Sequence, residues 1–300
     1  MSRHPWRQLS LLLLLCAINF MWGGSWVVSK LALEEMSPLQ LGGWRMLVAG
    51  LVLSPWLARA LRSGELKPAE LPGLAVLGFV AFVAAKALGY WGVNLSSGLN
   101  ASLLMALEPL LTMVLARMWL AETLTGRKLW ALLLGGGGAY LVIARGLRLP
   151  DFSAAGVIGD LVFTMGLGLE ALYSVWGKAA LRRHSPLTVS AATIVTAGLL
   201  WIPVIVLDGW QNGWPTPSWG GAGAVLFLSV GCTVVAYMSW LYALKTMEAG
   251  TVGLTLLLQP LFGAALAALV LGDSLSPAAA AGGGLVVASL YLVVRTPARE

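Results

Sequence analysis

Hydrophobic residues run through this 300-residue chain in long unbroken blocks, separated by short gaps rich in Pro, Gly and charge. Crossing a hydrocarbon core takes about 20 apolar residues as a helix. Ten such stretches are delimited, near 9–33, 38–58, 71–93, 98–120, 127–145, 154–180, 186–208, 219–244, 249–271 and 277–295. A closed barrel, the other spanning solution, needs short strands of alternating hydrophobicity, and the runs here are continuous. The pattern predicts an all-α integral membrane protein of ten transmembrane helices.

Composition agrees: mean hydropathy is +0.83, 58% of residues are hydrophobic and 11% are charged, outside the usage of soluble domains. A net charge of +6 would suggest nucleic acid in a soluble protein. Here the basic residues crowd the gaps, where they set topology. Fourteen fall on one side of the ladder and only Lys30, Arg145 and Arg148 on the other, so both termini are expected in the cytoplasm of a multi-pass protein of the cell (inner) membrane. The start, Arg3 and Arg7 before Leu11–Leu15, imitates a secretory signal but shows no small-x-small cleavage pattern, and reads as an uncleaved first helix. Cys16 and Cys232 lie apart in apolar runs without histidines nearby, so no disulfide framework, metal site or cofactor is expected.

The chain repeats itself. A shift of 148 places Lys30 on Lys178, Ser37-Pro38-Leu39 on Ser185-Pro186-Leu187 and Pro55 on Pro203. A shift of 151 places Pro109-Leu110 on Pro260-Leu261 and Glu122 on Asp273. Shared apolar composition does not align prolines, a lysine and an acid in order. The expected halves are 1–150 and 151–300. Five helices per half is an odd number, so the second copy enters the membrane inverted, the arrangement that alternating-access carriers use.

Met21-Trp22-Gly23-Gly24-Ser25, Lys30, Ser37-Pro38 and Arg45, then Leu107-Glu108-Pro109-Leu110 and Glu122-Thr123-Leu124-Thr125, resemble the opening and end of a domain of the drug/metabolite transporter superfamily. Leu258-Gln259-Pro260-Leu261 and Asp273-Ser274-Leu275-Ser276 repeat the end. The resemblance covers the whole chain as two copies, as in ten-helix EamA-type exporters, YddG-like amino-acid exporters among them. It implies a basket-like fold whose central cavity is lined largely by helices 1, 3, 4, 6, 8 and 9.

Charge at depth costs about 2.5 to 3.5 kcal/mol at a helix centre, so it marks candidate function. Glu108 and Glu170 lie near mid-helix, and Lys86 and Arg45 nearer helix ends. In the repeat Glu108 corresponds to Gln259, Lys86 to Tyr237 and Glu170 to Trp22, and such asymmetry suits recognition better than scaffolding. The bland alternative is that these charges pair with one another to hold helices together. The candidate substrate-binding set is Trp22, Ser25, Lys86, Tyr90, Glu108, Glu170, Tyr173, Tyr237 and Gln259. Pro109 and Pro260 are candidate hinges, because each removes a helical hydrogen bond. The matched Lys30 and Lys178 read as interfacial anchors. Gly135–Gly138 and Gly282–Gly284 read as close packing.

The expected function is a secondary transporter, acting as a monomer, that exports neutral or aromatic amino acids and related small metabolites. Lipophilic cations or drugs are the second reading. A membrane-embedded lipid-modifying enzyme would need a catalytic cluster, and none is visible. A scaffold or channel is the remaining class.

Overall fold

The computed structural model describes residues 5–96, 98–143, 154–271 and 276–294, and every element among them is helical. In chain order the continuous rods are α1 (Pro5–Ala32), α2 (Pro38–Ser63), α3 (Pro68–Leu95), α4 (98–120), α5 (Gly126–Ile143), α6 (Ala154–Ala180), α7 (Pro186–Asn212), α8 (Trp219–Leu244), α9 (249–271) and α10 (Pro277–Val294). Seven are long and apolar enough to cross a membrane: α1 from Leu9, α2, α3, α6 from Gly156, α7, α8 and α9 to Val270. α10 contributes a shorter apolar segment, Pro277–Val293. α4 and α5 carry Glu108, Arg117, Arg127 and Lys128 along their lengths. The expected boundary between halves, at 150/151, lies outside the described residues, as do Arg145, Arg148 and Asp273.

Local chemistry explains the ends. Ser37 and Ser185 cap α2 and α7, each hydroxyl accepting an amide three residues on at 3.1 Å, and the following Pro38 and Pro186 occupy the first turn, where no N–H is needed. α2 runs five residues past the expected stretch and α7 four, since hydropathy marks the apolar core while polar turns such as Arg59–Ser63 stay helical beyond it. α2 stops at Gly64, whose φ of 75° a side chain would oppose.

Four backbone irregularities interrupt the rods. α4 tightens to a 3₁₀ turn at Met105–Leu107 and α9 at Thr255–Leu257, just before Pro109 and Pro260. Pro109 therefore sits in the first turn of the segment Glu108–Leu120, where its missing donor costs little. α3 loosens to a π segment at Val80–Ala84 and α8 at Phe227–Val235. These π turns leave carbonyls for other helices to use.

Packing follows a regular scheme. α2 lies along α7, α5 along α10 and α4 against α9; α1 packs on α8 and α9, α6 on α3 and α4, and α2 and α3 touch α8 and α7 respectively. Replacing every helix by the one five places away returns these same pairs, while α5 against α9 and α7 against α8 lack a counterpart of similar extent. At the α5–α10 crossing a Cβ on Gly138 would lie 2.5 Å from the Gly282 carbonyl oxygen, so only glycine permits this approach. Outward faces are apolar, with Leu269 82% and Trp130 66% exposed, as lipid contact demands.

Helix ends meet in two sets. At one end Thr188 donates to Glu65 at 2.5 Å, and Lys178 meets Glu122 at 2.7 Å. At the other, Ser37 donates to Asp208 at 2.6 Å, Gln40 to the Gly213 carbonyl at 2.8 Å, and Ser218 to Glu35 through both its amide and its hydroxyl. Those two bonds hold the Glu35 carboxyl below its ordinary range. Asp160 accepts Ser96 at 2.5 Å and the buried Asn100 at 3.0 Å.

Candidate functional site

The π segments and the aromatic residues around them shape the interior. Trp22 of α1 donates its indole N–H to the Cys232 carbonyl of the α8 π segment at 2.8 Å. Trp201 of α7 donates to the Phe82 carbonyl of the α3 π segment at 2.9 Å. Each carbonyl released by a looser turn is thus satisfied from a neighbouring helix. Around them Phe82, Tyr173 and Tyr237 form a mutual cluster with centroids 4.8 to 5.3 Å apart, and Trp22 joins Tyr237 at 5.2 Å and Trp240 at 5.4 Å. Tilted and edge-on geometries of this kind suit the ring quadrupoles.

Beside this cluster lies a cavity of about 50 Å³ lined by Gly42, Arg45, Met46, Phe82, Lys86, Tyr90, Trp201 and Tyr237. Its charged lining residues are Arg45 and Lys86, and Lys86 is ion-paired. Lys86 Nζ of α3 stands 2.9 Å from both carboxylate oxygens of Glu170 on α6, with side chains 40% and 21% exposed. Tyr237 donates to Glu170 Oε1 at 3.3 Å. Glu108, half-buried where α4 resumes after its 3₁₀ turn, lies within electrostatic reach of Glu170 and Lys86. Arg45 donates to Thr233 Oγ1 at 2.7 Å and to the Cys232 carbonyl at 3.3 Å.

The sequence candidates therefore divide. Lys86, Tyr90 and Tyr237 line the cavity, with Glu170 and Glu108 adjoining. Trp22 and Tyr173 are packed inside the aromatic cluster, 9% and 2% exposed. Ser25 is buried and donates to the Trp22 carbonyl at 2.6 Å. Gln259 belongs to a separate network between α1 and α9, donating to Asn19 Oδ1 at 3.2 Å, while Asn19 donates to Thr255 at 3.0 Å. Lys178 is no free anchor: it also donates to the Met247 carbonyl at 2.7 Å, and its partner Glu122 accepts the first amides of α9, Ala249 and Gly250. Burial opposes ionisation of Glu122, yet Lys178 and those amides outweigh it and hold the carboxyl below its ordinary range.

Phe82 and Trp201 carried no local signal, since each reads as an ordinary apolar residue of a spanning stretch. Asn19 did carry one, as the single amide within an otherwise apolar run. Among the described residues no three or more His, Cys, Asp or Glu side chains gather to hold a metal ion.

Long apolar helices packed around charged side chains define a multi-pass helical membrane protein. The profile of the EamA-like transporter family matches residues 9–144 and again 157–295, and the chain belongs to that family. An uncharacterised transporter of Archaeoglobus fulgidus is 28% identical over 93% of this chain and 96% of its own length. A probable terminal-alkyne amino-acid exporter of Streptantibioticus cattleyicolor is 25% identical, covering 91% and 90%. An S-adenosylmethionine/S-adenosylhomocysteine transporter of Chlamydia muridarum is 25% identical, covering 94% and 90%. A solved crystal structure superposes with a TM-score of 0.79 at 20% identity, over 95% of this chain and 96% of that one, and shares its fold. These relatives are named as transporters, and the chain is a transporter, not an enzyme.

Proposed function

We propose that this protein is a secondary transporter that exports neutral or aromatic amino acids and related small metabolites by alternating access, with the solute held beside the Lys86–Glu170 pair. The observation that carries this reading is an ion pair set against a wall of aromatic rings. A zwitterion offers each member of such a pair an opposite charge, and aromatic faces offer apolar surface to its side chain. Two relatives named for their solutes, the probable terminal-alkyne amino-acid exporter and the S-adenosylmethionine/S-adenosylhomocysteine transporter, point the same way.

In this reading the ten rods all span, in two inverted repeats of five, with 1–150 and 151–300 as the halves. The exchange of packing partners, the paired irregularities of α3/α8 and α4/α9, and the double family match support it. The Glu122–Lys178 end is the cytoplasmic one, by the excess of Lys and Arg there, and both termini lie on that side of the cell membrane. A cavity of about 50 Å³ holds roughly three to five water molecules. An amino acid needs more room, so the helices around it move apart when the solute enters. One protein chain suffices, since both halves are present in it.

Lipophilic cations form the second reading, favoured by the two carboxylates Glu170 and Glu108 at depth. Purified protein in proteoliposomes separates the two. Exchange of labelled phenylalanine or another neutral amino acid, with no flux of a lipophilic cation such as tetraphenylphosphonium, is expected; cation flux without amino-acid exchange would overturn the first reading.

A further inference from the structure

We infer that Arg45 is the carboxylate-recognition residue of the central site, so that the transported solute must carry a carboxylate; the inference rests on the amino-acid reading above and sharpens it. Arg45 lies within α2, and one edge of its guanidinium is fixed by the α8 π segment. Thr233, whose own hydroxyl donates to the Leu228 carbonyl at 2.9 Å, offers its oxygen to Arg45 Nε, and the Cys232 carbonyl accepts Nη2. Both acceptors are neutral. A guanidinium has five donors, and these bonds engage only part of the fork. Among the described residues Arg45 forms no ion pair, whereas Lys86, Lys128 and Lys178 each have a carboxylate within 2.9 Å.

A cation held at depth on neutral acceptors alone is costly unless something else supplies the negative charge. Arg45 lines the cavity together with Lys86, and Lys86 already has Glu170. The position is also unnecessary as a scaffold by the logic of the repeat. Its counterpart, Thr193, is an uncharged, fully buried residue that donates within its own helix, to the Val189 and Ser190 carbonyls. The site thus offers a planar, preorganised fork for a carboxylate, with Phe82, Trp201 and Tyr237 beside it for an apolar side chain.

The test is binding to the full-length protein in lipid nanodiscs, with phenylalanine, phenylethylamine, which lacks the carboxylate, and 3-phenylpropionate, which lacks the ammonium. Wild type is expected to prefer phenylalanine to phenylethylamine by about tenfold to hundredfold, the span of a charge-assisted hydrogen bond. Arg45→Gln should erase that preference by weakening phenylalanine and not phenylethylamine, whose ammonium Arg45 repels, and Arg45→Lys should restore part of it. If Arg45→Gln fails to fold, Arg45→Lys carries the test: a loss confined to phenylalanine supports the assignment, and equal weakening of both probes overturns it. Discrimination retained in Arg45→Gln also overturns it and leaves the amino-acid reading standing. Arg45-dependent binding of 3-phenylpropionate without phenylalanine keeps the assignment and removes the amino-acid reading. Preference for phenylethylamine, or binding of none of the three, overturns both.

Discussion

α4 and α9 share one design and differ in how they are held. Both begin with a short helical turn, tighten to a 3₁₀ turn and resume at a proline. Around the α9 turn every residue from Val252 to Leu258 is buried, and three ties fix it: Asn19 to Thr255, Asn19 to Gln259, and Glu122 to the Ala249 and Gly250 amides. Around the α4 turn, residues 103–108 are half-buried or exposed, and the position that is Gln259 in α9 is the charged Glu108. Identical backbone devices thus have different surroundings: the α9 turn is pinned to its neighbours, and the α4 turn presents a carboxyl near the ion pair.

The largest expected effect lies in function. Glu108→Gln should lower amino-acid exchange in proteoliposomes by about tenfold or more, on the scale of one charge-assisted interaction, whereas Gln259→Ala should stay within about twofold. Equal effects would erase the distinction between the two helices. Next comes the end contact. Glu122→Gln removes the partner of a largely buried Lys178 and should destabilise the protein by about 3 kcal/mol, read as a lower Tm in detergent. The same contact should be sensitive to acid. The Glu122 carboxyl is held below its ordinary 4.5, so its contribution is fully present above that value and is lost as pH falls through the lowered one. A Tm that drops more on acidification in wild type than in Glu122→Gln checks the sign. A smaller effect follows from Asn19→Leu, which leaves Thr255 and Gln259 without their partner and should cost about 1 to 3 kcal/mol, with faster amide exchange in α9 than in α4.

Much of the scaffold was legible because it rests on one-dimensional signals. Apolar length gave the rods, Ser-Pro gave the starts of α2 and α7, and recurring Pro109 and Pro260 marked the matched turns. The cavity was legible in its charges and in Tyr90 and Tyr237. Lys86 and Glu170 stand out in any apolar run, but Phe82 and Trp201 join them through π segments that no periodicity announces, since a π turn arises from packing around it. Trp22 and Tyr173 resembled cavity aromatics for the same reason that they make good core: large rings at mid-helix serve either purpose, and the Cys232 carbonyl claims the Trp22 indole. Lys178 looked like an anchor because its partner Glu122 is 56 residues away in sequence.

The most direct test of the central claim is exchange of labelled phenylalanine by proteoliposomes containing wild type or Glu170→Gln. The Tm of each protein is measured alongside, so that lost folding is told apart from lost transport. The predicted result is exchange by wild type and a loss of about tenfold or more in the variant. Exchange undiminished in Glu170→Gln would contradict the placement of the solute at the ion pair.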